Sequence, residues 1–107
     1  MNGSLYGDFQ TREEQLERML TTELQRRTLL DLQEKGYLKT GIEYVYWFDP
    51  FQVTDMREVE GGFYELDVLV AVQRVIDNKR DKKVKMYTIT FNHNYESGFI
   101  VTKVSEL

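Results

Sequence analysis

An α+β domain is predicted by this sequence: one N-terminal helix packed on a curved antiparallel meander of four to five strands. Three observations lead there. Thr11-Arg12-Glu13-Glu14 has the spacing of a capping box and opens a charged helical segment. Gly61-Gly62, set between Val59-Glu60 and Phe63, marks a tight hairpin. From Phe63 to Ile76, apolar and polar residues alternate over the cleanest run in the chain. At 107 residues the chain can bury a core as one domain without disulfide or metal staples. The expected division is a flexible segment over residues 1–10, then a single domain over 11–107, with the helix at 11–36 and the sheet at 42–105.

Within the helix, Leu16, Met19, Leu20 and Leu24 keep one face and Leu30 stays near it, whereas Leu29 and Leu32 fall to the side. Either the apolar surface is broad, or the helix breaks near Arg26-Arg27-Thr28 and restarts with Thr28 as a second cap. One helix, straight or bent, is the preferred reading. Gly36 suits the residue after the C-cap, with Lys35 beside the carbonyl end of the dipole. The segment Ile42–Phe48 then reads as extended, with Ile42, Tyr44, Tyr46 and Phe48 on one side and Val45 and Trp47 on the other. Pro50 cannot donate to a ladder and belongs at a strand start or an edge. Beyond it Val53, Met56 and Val59 are spaced by three, which a bulge near Thr54-Asp55 would reconcile with a pleat.

After the glycine hairpin, Tyr64, Leu66, Val68, Val70, Val72 and Ile76 share one face. Asp77 to Asp81 supplies the next turn, and Tyr87, Ile89 and Phe91 resume the core face. If Ile76 pairs with Lys83, Ala71 lies opposite Thr88 on the outer face, where Leu69, Met86 and Thr90 join them. That surface is more apolar than a freely solvated one. Asn94 to Gly98 turns into a last strand, in which Phe99/Val101 and Ile100/Val104 compete for the inward side.

Composition excludes several classes of function. Without cysteine there is no disulfide scaffold, thiolate metal site or cysteine nucleophile. A net charge of −4 argues against nucleic acid as a partner, because duplex affinity rests on clustered cations at phosphates. No apolar run approaches the roughly 18 residues that span a bilayer. Met1-Asn2-Gly3-Ser4 has neither a basic n-region nor an apolar h-region, so the chain reads as cytoplasmic or as the mature piece of an exported protein. No cofactor is expected.

The motifs Phe48-Asp49-Pro50-Phe51, Glu60-Gly61-Gly62-Phe63, Leu69-Val70-Ala71-Val72-Gln73 and Tyr87-Thr88-Ile89-Thr90-Phe91 resemble an uncharacterised group of small secreted proteins from Bacillus-type bacteria. The similarity covers about residues 37–105, and its motifs are structural. The stretch Asp77 to Lys85 stands where that group has an Asn-Pro-Pro segment. The resemblance implies an extracytoplasmic location and no known activity. More broadly the layout is similar to cystatin-like and NTF2-like domains, in which a sheet wraps a helix. Fold by itself supplies no function.

Candidate sites follow from residue chemistry. His93 is the only histidine, so a histidine metal cluster is excluded, and an acid–base pair with Asp49 or Glu96 is the one histidine-based chemistry left. The competing reading is a histidine flanking a turn between Asn92 and Asn94. Asp49 ahead of Pro50 fits a carboxylate at a cavity mouth or the start of a turn. Asp55, Glu58, Glu60, Glu65 and Asp67 offer oxygen ligands for a hard cation, yet Arg57 sits among them without any calcium-loop spacing, and a solvated hairpin is the simpler account. Lys79, Arg80, Lys82, Lys83 and Lys85 form the one basic run, suited to phosphate, an anionic membrane surface or an acidic protein patch, or simply to solubility and edge protection. The leading expectation is a non-enzymatic binding or self-assembly module, a homodimer or a binder of another protein. It would use the outer face (Leu69, Ala71, Met86, Thr88) or the aromatic strand (Tyr44, Tyr46, Trp47). The alternative is a small-molecule pocket between helix and sheet, with Asp49 and His93 as its polar groups.

Overall fold

The computed structural model describes residues 11–107, so the expected flexible segment 1–10 lies outside the described residues. Helix α1 spans Arg12–Glu34, followed by strands β1 (Val45–Phe48), β2 (Gln52–Val59), β3 (Phe63–Ile76), β4 (Lys79–Arg80), β5 (Lys85–Asn94) and β6 (Gly98–Glu106). All the strands belong to one antiparallel sheet, with β3 as its spine. On one side of β3 lie β1 and β2 end to end, separated at Asp49-Pro50-Phe51; on the other lie β4 and then β5, with β6 outermost. Six strands replace the four to five expected, because each flank of β3 is broken into two pieces.

The helix is single and begins where the capping box places it. Thr11 Oγ1 accepts from the Glu14 amide at 3.1 Å, and Glu14 Oε1 accepts from the Thr11 amide at 2.9 Å. This holds the Glu14 carboxyl below its ordinary pKa, first through the Thr11 backbone bond. At the other end Gly36 adopts φ +83°, its amide donates to the Gln33 carbonyl, and the Tyr37 amide donates to the Leu32 carbonyl at 2.9 Å. Those two bonds make a Schellman cap, which needs the left-handed residue that glycine supplies. Lys35 pairs with Asp31 at 2.6 Å.

The face that α1 buries differs from the one expected. Thr21, Leu24, Thr28 and Leu32 are the buried positions, flanked by Leu20 and Leu29. Leu16, Met19 and Leu30 are more than half exposed. Thr28 is therefore a core residue in mid-helix rather than a second cap. Against this stripe stand Leu66, Val68, Val70 and Val72 from β3 and Tyr87, Ile89 and Phe91 from β5, none more than 3% exposed. Leu38 and Phe51 close the core from the two connecting segments, and Phe51 meets Phe48 edge-on at 5.8 Å.

Bulges set which side chain faces which way. The ladder shifts between Val53 and Asp55, as the sequence spacing suggested, so Val53 and Met56 both oppose inward residues of β3 while Val59 pairs with outward Phe63. A second shift in the β5–β6 ladder pairs Phe91 with Val101 but Thr90 with Lys103. It resolves the last strand: Phe99, Val101 and Val104 all pack on the core, and Ile100 faces outward. The glycine hairpin spans Glu60–Gly62, three residues rather than two, with φ of +87° and +79° at its glycines.

The turn after β3 corrects the expected register. Asp77 and Asn78 take φ of 52° and 63°, forming a two-residue turn that pairs Ile76 with Lys79, not with Lys83. Asp81 to Val84 then bulge out before Lys85 pairs with Val72. Ala71 consequently lies opposite Met86, and Leu69 opposite Thr88. The displacement amounts to two residues, and a shift of two returns every side chain to its own face. The assignment of inner and outer faces therefore survives the wrong register.

Candidate binding surfaces on two sides of one sheet

The residues singled out for binding divide between the two sides of the sheet. Trp47 pairs with Gln73, Leu69 with Thr88 and Ala71 with Met86, so all of these face away from the helix. Tyr46 pairs with Arg74 and faces the helix side, together with Tyr44 two residues before it. The aromatic strand and the outer face are therefore two separate surfaces, joined only by Trp47.

The outer face is covered by no described element. Its apolar end holds Val45, Trp47, Leu69, Ala71 and Met86, of which Val45 and Trp47 are about half exposed. Trp47 is fixed rather than loose. Its indole nitrogen donates to Asp49 Oδ1 at 3.1 Å, and the Arg80 guanidinium stacks on its ring at 5.0 Å. Further along β3 the same face turns ionic. Arg57 donates to Asp67 at 2.8 Å, to Glu65 at 3.3 Å and to Asp55, and Thr90 Oγ1 donates to Asp67 at 2.8 Å. The Arg57 bonds, then the Thr90 bond, hold the Asp67 carboxyl below its ordinary value, and those to Asp67 and Asp55 raise the guanidinium pKa.

Arg57 thus stands at the point where three of the five suggested cation ligands converge. Glu58 lies opposite Tyr64 on the other face and Glu60 is in the turn. Among the described residues no group of three or more acidic or histidine side chains is arranged to hold a metal ion.

Asp49 and His93 do not meet. The Asp49 amide donates to the Ala71 carbonyl, whereas His93 pairs with Tyr64. The two positions are therefore separated by about seven residues of β3, or about 23 Å at 3.3 Å per residue. His93 lies in β5 one residue before the turn, packed on Phe99 at 4.5 Å in an apolar hollow with Leu20, Met56, Tyr64 and Leu66. Asp49 is tied to Trp47, with Arg80 at 3.8 Å.

Reading the sequence missed a cleft on the helix side. It has a volume of about 310 Å³ and lies between the Gly36–Lys39 segment, β1, the end of β3 and the Asp81–Val84 bulge. Arg74 is among the residues that line it. Its guanidinium lies 4.4 Å from the Tyr44 ring, and its Nε is buried without a partner among the described residues. The signal was available: Arg74 occupies the inward position between Val72 and Ile76, a cation interrupting an otherwise apolar series. Tyr87 lies beside this region, edge-on to Tyr37 at 5.5 Å. Its hydroxyl is also buried without a partner among the described residues, and burial pushes its pKa up to about 12.

No helix among the described residues is long and apolar enough to cross a membrane. No family model matches this chain, and neither a curated protein nor a solved structure is similar enough to count as a match.

Proposed function

We propose that this chain is a non-enzymatic binding module that self-associates through the outer face of its sheet. One observation carries the reading: an uncovered apolar patch of Val45, Trp47, Leu69, Ala71 and Met86 on a sheet whose other face already holds the core. Packing two such faces removes apolar area from water at about 25 cal/mol per Å². A closed two-fold pair is the commonest way to do so.

Charge favours a second copy over an unrelated partner. The acidic residues Asp55, Glu58, Glu60, Glu65 and Asp67 cluster toward the start of β3, while Lys79, Arg80, Lys82 and Lys83 follow its end. Two copies with β3 strands antiparallel set the basic end of each over the acidic end of the other. The layout is the one compared above with cystatin-like and NTF2-like domains, and the motifs shared with small secreted Bacillus-type proteins support an extracytoplasmic setting for this assembly.

The test is solution mass by light scattering at two protein concentrations, for the unaltered chain and for Ala71→Glu. A mass near twice 12.8 kDa, falling to 12.8 kDa in Ala71→Glu with an unchanged circular dichroism spectrum, is the expected result. A monomer at both concentrations, or a dimer indifferent to Ala71→Glu, sinks the proposal and leaves the face to a different protein.

A further inference from the structure

The cleft around Arg74 lies on the side of the sheet opposite the proposed interface, and its chemistry is distinct. Four cationic side chains line it, Lys39, Arg74, Lys83 and Lys85, against one carboxylate, Asp81. Such a concentration of positive charge in a concave site lowers the energy of an anion there. We propose that this cleft binds a small organic anion, a carboxylate or phosphate monoester carried on a single flat apolar ring.

Preorganisation is the first argument. The Arg74 guanidinium is held over the Tyr44 ring at 4.4 Å, with Lys39 Nζ 5.7 Å from the same ring. Among the described residues its Nε, closed off from solvent by this packing, has no partner, so the guanidinium is set in the cleft lining without being committed to a carboxylate. A guanidinium fork matches the two oxygens of a carboxylate or phosphate. Tyr46 stiffens the mouth of the cleft. Its hydroxyl accepts from the Lys39 amide at 2.9 Å and donates to the Lys39 carbonyl at 3.4 Å, tying β1 to the segment after the helix.

The bulge is the second argument. In an unbroken hairpin continuing from Ile76–Lys79, Val72 would pair with Lys83 and Lys85 would fall opposite Val70, beneath the helix. The two extra residues keep Lys85 opposite Val72 at the rim, where among the described residues its ammonium donates only to the Tyr37 carbonyl, at 3.4 Å. An ammonium carries three donors, so two remain among the described residues. The third argument is size and lining. Ligand pockets run from about 300 Å³ upward, and 310 Å³ with tyrosine, Leu38 and Val72 walls suits one ring rather than a bare ion or a large cofactor.

Amide NMR titration of the whole chain with phenyl phosphate, benzoate and inorganic phosphate tests this. Saturable shifts confined to Lys39, Tyr44, Arg74 and Lys85 are expected with phenyl phosphate or benzoate. The tighter of the two identifies the anionic group. Arg74→Gln should weaken binding by ~10-fold or more, the cost of losing a charged hydrogen bond, whereas Lys82→Gln, outside the lining, should leave it unchanged. Should Arg74→Gln fail to fold, the exposed pair Lys39→Gln/Lys83→Gln reads the same loss. The proposal is overturned if neither aromatic anion gives saturable shifts at millimolar concentration, if the lining variants bind as well as the parent, or if inorganic phosphate binds as tightly as phenyl phosphate.

Discussion

The two faces of β3 are built from alternate residues of one strand, and they are held by different forces. Inward, Leu66, Val68, Val70 and Val72 are almost wholly buried under the helix. Outward, Glu65, Asp67, Leu69, Ala71 and Gln73 are only partly covered, and the specific contacts at the Glu65–Asp67 end are ion pairs to Arg57. Core burial contributes roughly 1.5–3 kcal/mol per large apolar side chain, whereas solvent-screened ion pairs contribute about 0–1 kcal/mol. The difference teaches that the fold rests on one face, which frees the other for recognition.

That contrast is sharpest in a pair of truncations, made in the Ala71→Glu background so that association does not contribute. Phe91→Ala should cost about 3–5 kcal/mol in urea denaturation, since Phe91 is fully buried against Phe99. Met86→Ala, on the outer face of the same strand, should cost about 1 kcal/mol or less. Equal losses would show that the outer face is a second core and break the comparison.

A smaller effect comes from within the core. Tyr87→Phe removes a buried hydroxyl that has no partner among the described residues and should stabilise the protein by about 1 kcal/mol. Its pH signature is specific. The folded pKa of Tyr87, about 12, lies above the ordinary 10.0. The stability linked to the neutral phenol is therefore complete below 10 and lost as pH rises through 12. Alkaline unfolding of the parent should begin in that window and be reduced in Tyr87→Phe, as circular dichroism against pH will reveal. If the variant is less stable at neutral pH, the hydroxyl has a partner and the inner face is less purely apolar than described.

The smallest effect belongs to the outer ionic cluster. Asp67→Asn should cost about 0.5 kcal/mol at neutral pH, the value of a pair open to solvent screening. Because the Asp67 pKa is lowered from 3.8, the difference between parent and variant should be complete above that value and vanish as pH falls through the folded one. A loss of several kcal/mol would mean that the cluster supports the fold itself.

Much of this architecture was legible because side-chain parity in strands depends only on counting. The β3 face, the Thr54 bulge and the outward set Leu69, Ala71 and Met86 all followed from a period of two. The hairpin register did not follow, since nothing local distinguishes a two-residue Asp77-Asn78 turn with a later bulge from one longer loop. The helix was harder still. Leu16, Met19 and Leu24 satisfy a helical period, but only the placement of the sheet selects Thr21 and Thr28 for burial and leaves Leu16 and Met19 exposed. The Arg74 cleft escaped notice because its residues come from four separate segments. Proximity of that kind is created by folding.

The neighbours of the helix carry a consequence for how the chain is made. The hairpins β2–β3 and β5–β6 join residues that are close in sequence, whereas α1 lies nearest β6, across almost the full length of the described chain. On a ribosome, α1 emerges first and β6 last. Leu24 and Leu32 must therefore wait until the strands have followed before their covering surface exists. Local hairpins close early, and docking of the helix pays the longest loop entropy. The nascent protein thus passes its most aggregation-prone interval late, with a finished sheet edge and a bare helix side by side.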